Sequence, residues 1–114
     1  MYTYKAKLDR VVDGDTLDAI VDLGFDTWKQ VRIRLVGLNA PESRTRDLEE
    51  KVRGLAAKKY VVDILEKHGN VFTLHSQGVG KFGRCLGVIF LDEIKLNDLL
   101  ITEGHAVAYY GGKR

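Results

Sequence analysis

Leu17-Asp18-Ala19-Ile20-Val21, the turn Leu23-Gly24-Phe25-Asp26, and Val31-Arg32-Ile33-Arg34-Leu35 decide the fold of this chain. Leu17, Ala19 and Val21 alternate with other residues, and after the glycine turn Val31, Ile33 and Leu35 alternate with Arg32, Arg34 and Val36. A period of two places one set of side chains on a core and the other in water, the pattern of half-buried strands. Just upstream, Tyr2, Tyr4, Ala6 and Leu8 alternate in the same way, and Val11-Val12 runs into Asp13-Gly14-Asp15. Three such strands joined by short turns predict an antiparallel meander.

Past Pro41 the period changes. Asp47 is placed to cap a helix, and Glu49 and Glu50 supply the acidic first turn that a helix N-terminus favours. Leu48, Val52, Leu55-Ala56, Tyr60-Val61 and Ile64-Leu65 recur at helical spacing, which predicts an apolar face, with Lys58, Lys59, Asp63, Glu66 and Lys67 in water. The helix is expected to end at His68-Gly69, since glycine takes the left-handed cap conformation without strain. Val71–His75 reads as a fourth strand, Gln77–Gly83 as a glycine-rich loop, and Cys85–Leu91 as a fifth strand. A short helix carrying Leu96, Leu99, Leu100 and Ile101 follows, stopped by Gly104. The expected fold class is α+β, mainly β. It is a five-stranded Greek-key barrel of the OB type, with one long helix after strand 3 and one short helix after strand 5.

Composition sets the outer limits. With 114 residues, 45% hydrophobic and 30% charged, the chain is expected to form one domain over residues 1–114 rather than a disordered segment. Its 18 basic and 16 acidic residues leave a net charge of +2, compatible with a polyanion but not demanding one. The clustering of Arg32, Arg34, Arg44, Arg46, Lys51 and Arg53 says more than the total. No apolar run approaches the roughly 20 residues that span a bilayer, so no membrane partner is expected. The N-terminus lacks the apolar stretch of a signal peptide, which predicts a cytoplasmic protein, with secretion of a longer precursor left open. A monomer is expected. The single cysteine, Cys85, permits no internal disulfide and reads as a small core residue.

Four stretches carry candidate chemistry. Asp13 and Asp15 flank a glycine, and two carboxylates at a turn suit a hard cation such as Ca²⁺ or Mg²⁺; Asp-Gly is also a common turn signal with no further role. Arg34 lies on a strand between core residues, where a rigid guanidinium fork suits bidentate phosphate binding. Its ordinary alternative is a cross-strand ion pair. Pro41 stiffens Asn39-Ala40-Pro41-Glu42 and presents a carboxylate beside whatever Asp15 and Arg34 face. Lys81-Phe82-Gly83-Arg84 sets another arginine at the mouth of the last strand.

Taken together, Asp13-Gly14-Asp15-Thr16, Arg34 through Glu42, Lys81 through Arg84, and Asn97 through Tyr110 resemble the signature of the staphylococcal nuclease (thermonuclease-like) family. The resemblance extends from about Lys5 to Tyr110. It implies that Arg34, Glu42 and Arg84 are catalytic, the arginines holding the scissile phosphate. It implies that Asp15, Asn39, the Ala40 carbonyl and nearby Asp13 form the metal site, with Ca²⁺ as cofactor and Mg²⁺ or another divalent cation as substitutes. It further implies that Lys81, Phe82 and Tyr110 contact nucleic acid. The implied activity is metal-dependent hydrolysis of phosphodiester bonds in DNA or RNA by an endonuclease. Three positions depart from the family pattern. Asn39 replaces an aspartate, which removes one negative charge from the metal site; Phe82 replaces a tyrosine, which removes a phosphate hydrogen bond; and the C-terminal helix of the best-known member has no counterpart before Arg114. Two alternatives remain: a catalytically weakened nucleic-acid- or protein-binding module of the same fold, or a single-strand binder that stacks bases on Phe82, Tyr109 and Tyr110.

Overall fold

The computed structural model describes residues 2–79 and 83–109. Its main elements are β1 (Tyr2–Asp13), β2 (Thr16–Asp22), β3 (Trp28–Leu35), β4 (Leu38–Asn39), α1 (Leu48–Lys67), β5 (Val71–Val79), β6 (Cys85–Leu91), β7 (Ile94–Lys95), α2 (Leu96–Thr102) and β8 (Val107–Ala108). The expected meander is present, β1 pairing with β2 and β2 with β3, all antiparallel. β1 is long enough to serve two neighbours: Ala6 to Asp13 pair with β2, and Tyr2 to Lys7 pair with β5. Register irregularities between Leu8 and Arg10 and between Val11 and Asp13 bend it from one partner to the other. β5 pairs with β6, and β6 returns parallel to β3 with Ile33 beside Cys85 and Arg34 beside Leu86. That last pairing closes a five-stranded mixed barrel with two helices, the OB-like fold expected.

The inward side chains are the ones the alternation selects. Leu17, Ala19, Ile33, Leu35, Leu74 and Ile89 are essentially without solvent contact. Asn97 stitches α2 to the closure: its amide donates to the carbonyls of Val36 and Gly87 at 2.9 and 3.2 Å, and its oxygen accepts from the Ile89 N–H at 3.1 Å. Three buried backbone groups at the β3–β6 seam are thereby satisfied. Among the described residues no helix is long and apolar enough to cross a membrane.

The helix boundaries follow from local chemistry. The Asp47 carboxylate accepts from the Glu49 and Glu50 N–H groups at 3.1 and 3.3 Å, capping α1, and Gly69 with φ +71° lets the chain leave. Two expectations are corrected. First, β5 runs on through Val79 into the stretch read as loop. Gly78, at φ +125°, absorbs an irregularity in register, so pairing resumes with Gly78 beside Leu86 and Val79 beside Cys85. Second, α1 does not dock through the whole apolar set. Gly54, Ala57, Val61 and Leu65 are buried, whereas Leu48 and Val52 are 74% and 68% exposed and Leu55 is exposed too. At about 100° per residue, Leu48, Val52 and Leu55 lie about 100–160° around the helix from Gly54. The reason is close approach: a Cβ at Gly54 would lie 2.2 Å from the Glu42 carbonyl oxygen. Only the smallest residues allow the helix to press on that loop, and the larger apolar ones are turned outward as a consequence.

Candidate active site

Three backbone segments meet under the first half of α1. The β1–β2 turn places Gly14 where a Cβ would come within 2.8 Å of the Ala57 Cβ and 3.1 Å of the Ala40 Cβ, so this glycine is required by contact. The second segment is the loop that begins at Gly37 (φ +83°) and runs through β4 to Ser43. β4 pairs with the third segment, β8, Leu38 beside Ala108 and Asn39 beside Val107, and the Tyr109 N–H donates to the Gly37 carbonyl at 2.9 Å.

Both turn carboxylates reach the loop, at different points. Asp15, 9% exposed, accepts from the Ala40 N–H at 2.9 Å and from the Thr16 hydroxyl at 3.0 Å. Asp13 accepts from the Ser43 N–H at 3.1 Å and from the Ser43 hydroxyl. The two aspartates thus clasp the loop on either side of Pro41-Glu42, with Gly54 beneath. A stretch that would otherwise wander is fixed by charge-assisted hydrogen bonds and a helix face.

Arg34 enters this frame from the end of β3. Its Nη1 donates to the Leu35 carbonyl at 2.6 Å, its Nη2 donates to Asn39 Oδ1, and the same Nη2 lies 3.5 Å from Asp15 Oδ2. Asp15 and Asn39 therefore converge on one point, and a positive charge stands there. Arg32, which shares the Arg34 face of the strand, takes the ordinary role instead. Its Nε and Nη2 donate to Asp18 at 2.8 and 3.2 Å, and Arg10 Nε donates to the same carboxylate at 2.9 Å. The Arg32 hydrogen bond holds the Asp18 carboxyl below its ordinary value, against the opposing effect of burial and with help from Arg10. A lowered folded-state pKa means stability that is fully present above the unfolded value and lost as pH falls through the folded one. Acid unfolding curves of the wild type should therefore fall more steeply than those of Asp18→Asn below about pH 4. The difference should be no more than about 1 kcal/mol, because both arginines face solvent. Parallel curves in acid urea titrations would contradict this.

Glu42 is exposed, and its side chain makes no hydrogen bond or ion pair among the described residues. Arg84 is half-buried just before β6, one step ahead of the Cys85–Ile33 pair and two ahead of Leu86–Arg34. Parallel pairing thus carries Arg84 from a distant part of the chain to the strand that bears Arg34. Lys81, Phe82 and Tyr110 lie outside the described residues. A cavity of about 320 Å³ adjoins the loop, lined by Asn39, Ala40 and Pro41 together with Arg53 and His105. Sequence reading gave these last two no role. Arg53 was visible only as one of a cluster of cations, and His105 arrives by tertiary packing, stacked on Tyr60 at 4.6 Å between ring centres.

Among the described residues no group of three or more His, Cys, Asp and Glu side chains converges as a metal site. The oxygens at hand are one buried carboxylate, Asp15, and one amide carbonyl, Asn39, already arranged around a cation. Hard-oxygen donors in that number suit a divalent ion completed by waters and a substrate phosphate rather than enclosed by protein.

A family model described as staphylococcal nuclease homologue matches residues 32–114. The chain belongs to that family. It is 31% identical over 104 residues to an uncharacterized endonuclease of Escherichia coli O157:H7, covering 88% of this chain and 58% of that protein. It is 29% identical over 118 residues to the Escherichia coli protein ParB (92% and 57% covered) and 28% identical over 110 residues to an uncharacterized protein of Bacillus anthracis (95% and 49% covered). The chain spans about half the length of these curated relatives. The match takes in Arg34, the Asn39–Glu42 loop and Arg84, while Asp13 and Asp15 precede it and are brought to the same loop by the barrel.

Proposed function

We propose that this member of the staphylococcal nuclease family is a divalent-metal-dependent endonuclease that hydrolyses phosphodiester bonds in DNA or RNA. The observation that carries the reading is the meeting of Asp15 and Asn39 on the Arg34 guanidinium, with a Glu42 on the same clasped loop that has no partner among the described residues. Hydrolysis forms a bond from a water oxygen to phosphorus and breaks one phosphoester bond. Glu42, exposed on the loop, accepts the water proton. Arg34 directs its remaining N–H groups at the non-bridging oxygens as negative charge grows on them, and Arg84 stabilises the departing oxygen. Asp15, Asn39 and the Ala40 carbonyl would hold the cation, which when bound supplies further charge at the phosphate and orients water. Incubation with single-stranded DNA and with RNA, with Ca²⁺, with Mg²⁺ and with chelator, tests the proposal. Metal-dependent shortening of the polymer is expected, and intact polymer under all metal conditions would overturn it.

The thin donor set at Asn39 favours one second reading, a nucleic-acid-binding module of the same fold with weakened catalysis. Asn39→Asp separates the two. The added carboxylate should tighten divalent-cation binding by about tenfold, the effect of roughly 1.4 kcal/mol, and raise cleavage at limiting metal. Unchanged calorimetric affinity would mean that the loop does not reach the ion.

A further inference from the structure

A second depression lies away from this site, beside the N-terminal half of β1. It is a groove of about 610 Å³, bordered by Lys5 and Lys7 of β1, Lys67 at the end of α1, Trp28 at the start of β3 and Phe90 of β6. Two features suit it to a polyanion that carries flat rings. The first is its charge. Several cations of the protein are paired, Arg10 and Arg32 with Asp18, Lys59 with Asp63, Lys95 with Asp98. Lys5, Lys7 and Lys67 make no ion pair among the described residues. Two acids share the lining: Asp22 accepts from the Gly24 N–H at 2.8 Å, and Asp92, largely in solvent, stands 3.9 Å from His68, so the three lysines outnumber them.

The second feature is its exposed aromatic surface. Trp28 is 52% exposed, and the Lys7 ammonium lies 5.4 Å from its ring centre. Outside the groove's lining, Phe25, fully exposed and held at φ +53°, forms the tip of the hairpin whose stems are Asp22 and Trp28. A bulky residue in the left-handed region with its ring in water gains nothing from packing. Phe90 stacks on His75 across the strands at 4.6 Å between ring centres. Flat rings interleaved with unpaired ammonium groups match a polymer that alternates bases with phosphates, and single strands are held in that way.

We propose that this groove is a second nucleic-acid site, which holds a single-stranded stretch of the polymer away from the scissile bond. Bases stack on Trp28 and Phe90, and phosphates lie on Lys5, Lys7 and Lys67. The assignment rests on the proposed nuclease activity only in naming this stretch as part of the substrate. Lys7 and Asp13 are six residues apart on β1, about 20 Å at the rise of a strand. At the phosphate spacing of a stacked strand, about 3.4 Å, a substrate needs about six nucleotides to reach both places. The groove therefore favours long substrates and leaves the shortest ones unaffected.

Trp28 is the only tryptophan of the chain, so its fluorescence reports on this groove alone. Oligothymidylate of about 20 nucleotides, longer than the stretch one OB fold covers, is titrated with chelator into the full chain carrying Glu42→Gln. Saturable quenching of Trp28 is expected. The double variant Lys5→Ala, Lys7→Ala should weaken binding by about tenfold and reduce the salt slope by about 1.4, the value for two phosphates on a single strand. In the otherwise wild-type chain, the same double substitution should raise KM for the long oligonucleotide several-fold while leaving cleavage of a dinucleotide unchanged. Trp28 emission that an efficiently cleaved oligonucleotide does not move would overturn the proposal, as would equal binding by the double variant. Equal quenching by inorganic polyphosphate would remove the stacking role, and an emission change on simple concentration of the protein would assign the groove to a second copy of the chain. Quenching in a protein that cleaves nothing would leave this site standing and reject the nuclease reading.

Discussion

Arg34→Ala, Glu42→Ala and Arg84→Ala should each lower turnover on single-stranded DNA by at least about 10²-fold at saturating metal, the scale on which one preorganised electrostatic group acts. Of the three, Glu42→Ala isolates chemistry from folding most cleanly. Its side chain is exposed and has no partner among the described residues, so its removal should change stability by no more than about 0.5 kcal/mol. Arg34 is different. Its guanidinium joins Asp15 to Asn39, and its loss leaves a buried carboxylate that keeps the Ala40 N–H and the Thr16 hydroxyl but has lost a cationic neighbour. Arg34→Ala should therefore lose both activity and stability, while Arg34→Lys keeps the charge and loses the fork. Unfolding curves measured beside the kinetics separate these contributions. Wild-type rates for Glu42→Ala with saturating metal would sink the assignment of the base.

Gly54→Ala should be destabilising, against what helix propensity alone would give. Alanine is better than glycine in a helix interior by about 1 kcal/mol, and an open position would show a gain of that size. Here the new methyl would lie 2.2 Å from the Glu42 oxygen, 2.4 Å from its carbonyl carbon and 2.7 Å from the Ser43 nitrogen. All three are backbone atoms of a loop clasped by Asp13 and Asp15, so the strain has no flexible side chain to dissipate into. Overpacking of this kind costs about 1–3 kcal/mol or more, which outweighs the propensity term. The same displacement moves Glu42, so turnover should fall by more than stability alone explains at a temperature where the variant is folded. Leu55→Ala, one residue along and exposed, serves as the control and should behave like wild type in turnover. A stabilised, fully active Gly54→Ala protein would show that α1 does not rest on the loop.

Much of this architecture was legible in the residues. Alternation at Leu17, Ala19 and Val21 and again at Val31, Ile33 and Leu35 is a short-range property, and it survives into the structure as the buried faces of β2 and β3. The α1 cap at Asp47 is local too, needing only a carboxylate two and three residues before free N–H groups. The apolar spacing of α1 misled at its first half for a physical reason. Periodicity ranks side chains by hydrophobicity, whereas docking at close range is decided by who is small enough, and Gly54 and Ala57 displaced Leu48, Val52 and Leu55 from the interface. β5 ran past its expected end because Gly78 accommodates an irregularity that no pattern of apolar residues reveals.

The five barrel strands, the two helices, the cap of the long one and the set of charged residues from which a site is built are written locally, because each depends on neighbours within a few positions. No local pattern shows that Asp15 and Asn39 face the same guanidinium, that Asp13 holds Ser43, that Arg84 returns beside the strand of Arg34, or that Lys5, Lys7 and Trp28 border one groove. These depend on barrel closure, which sets residues about 20 to 50 positions apart side by side, and on steric fit between glycines and backbone that no one-dimensional pattern encodes.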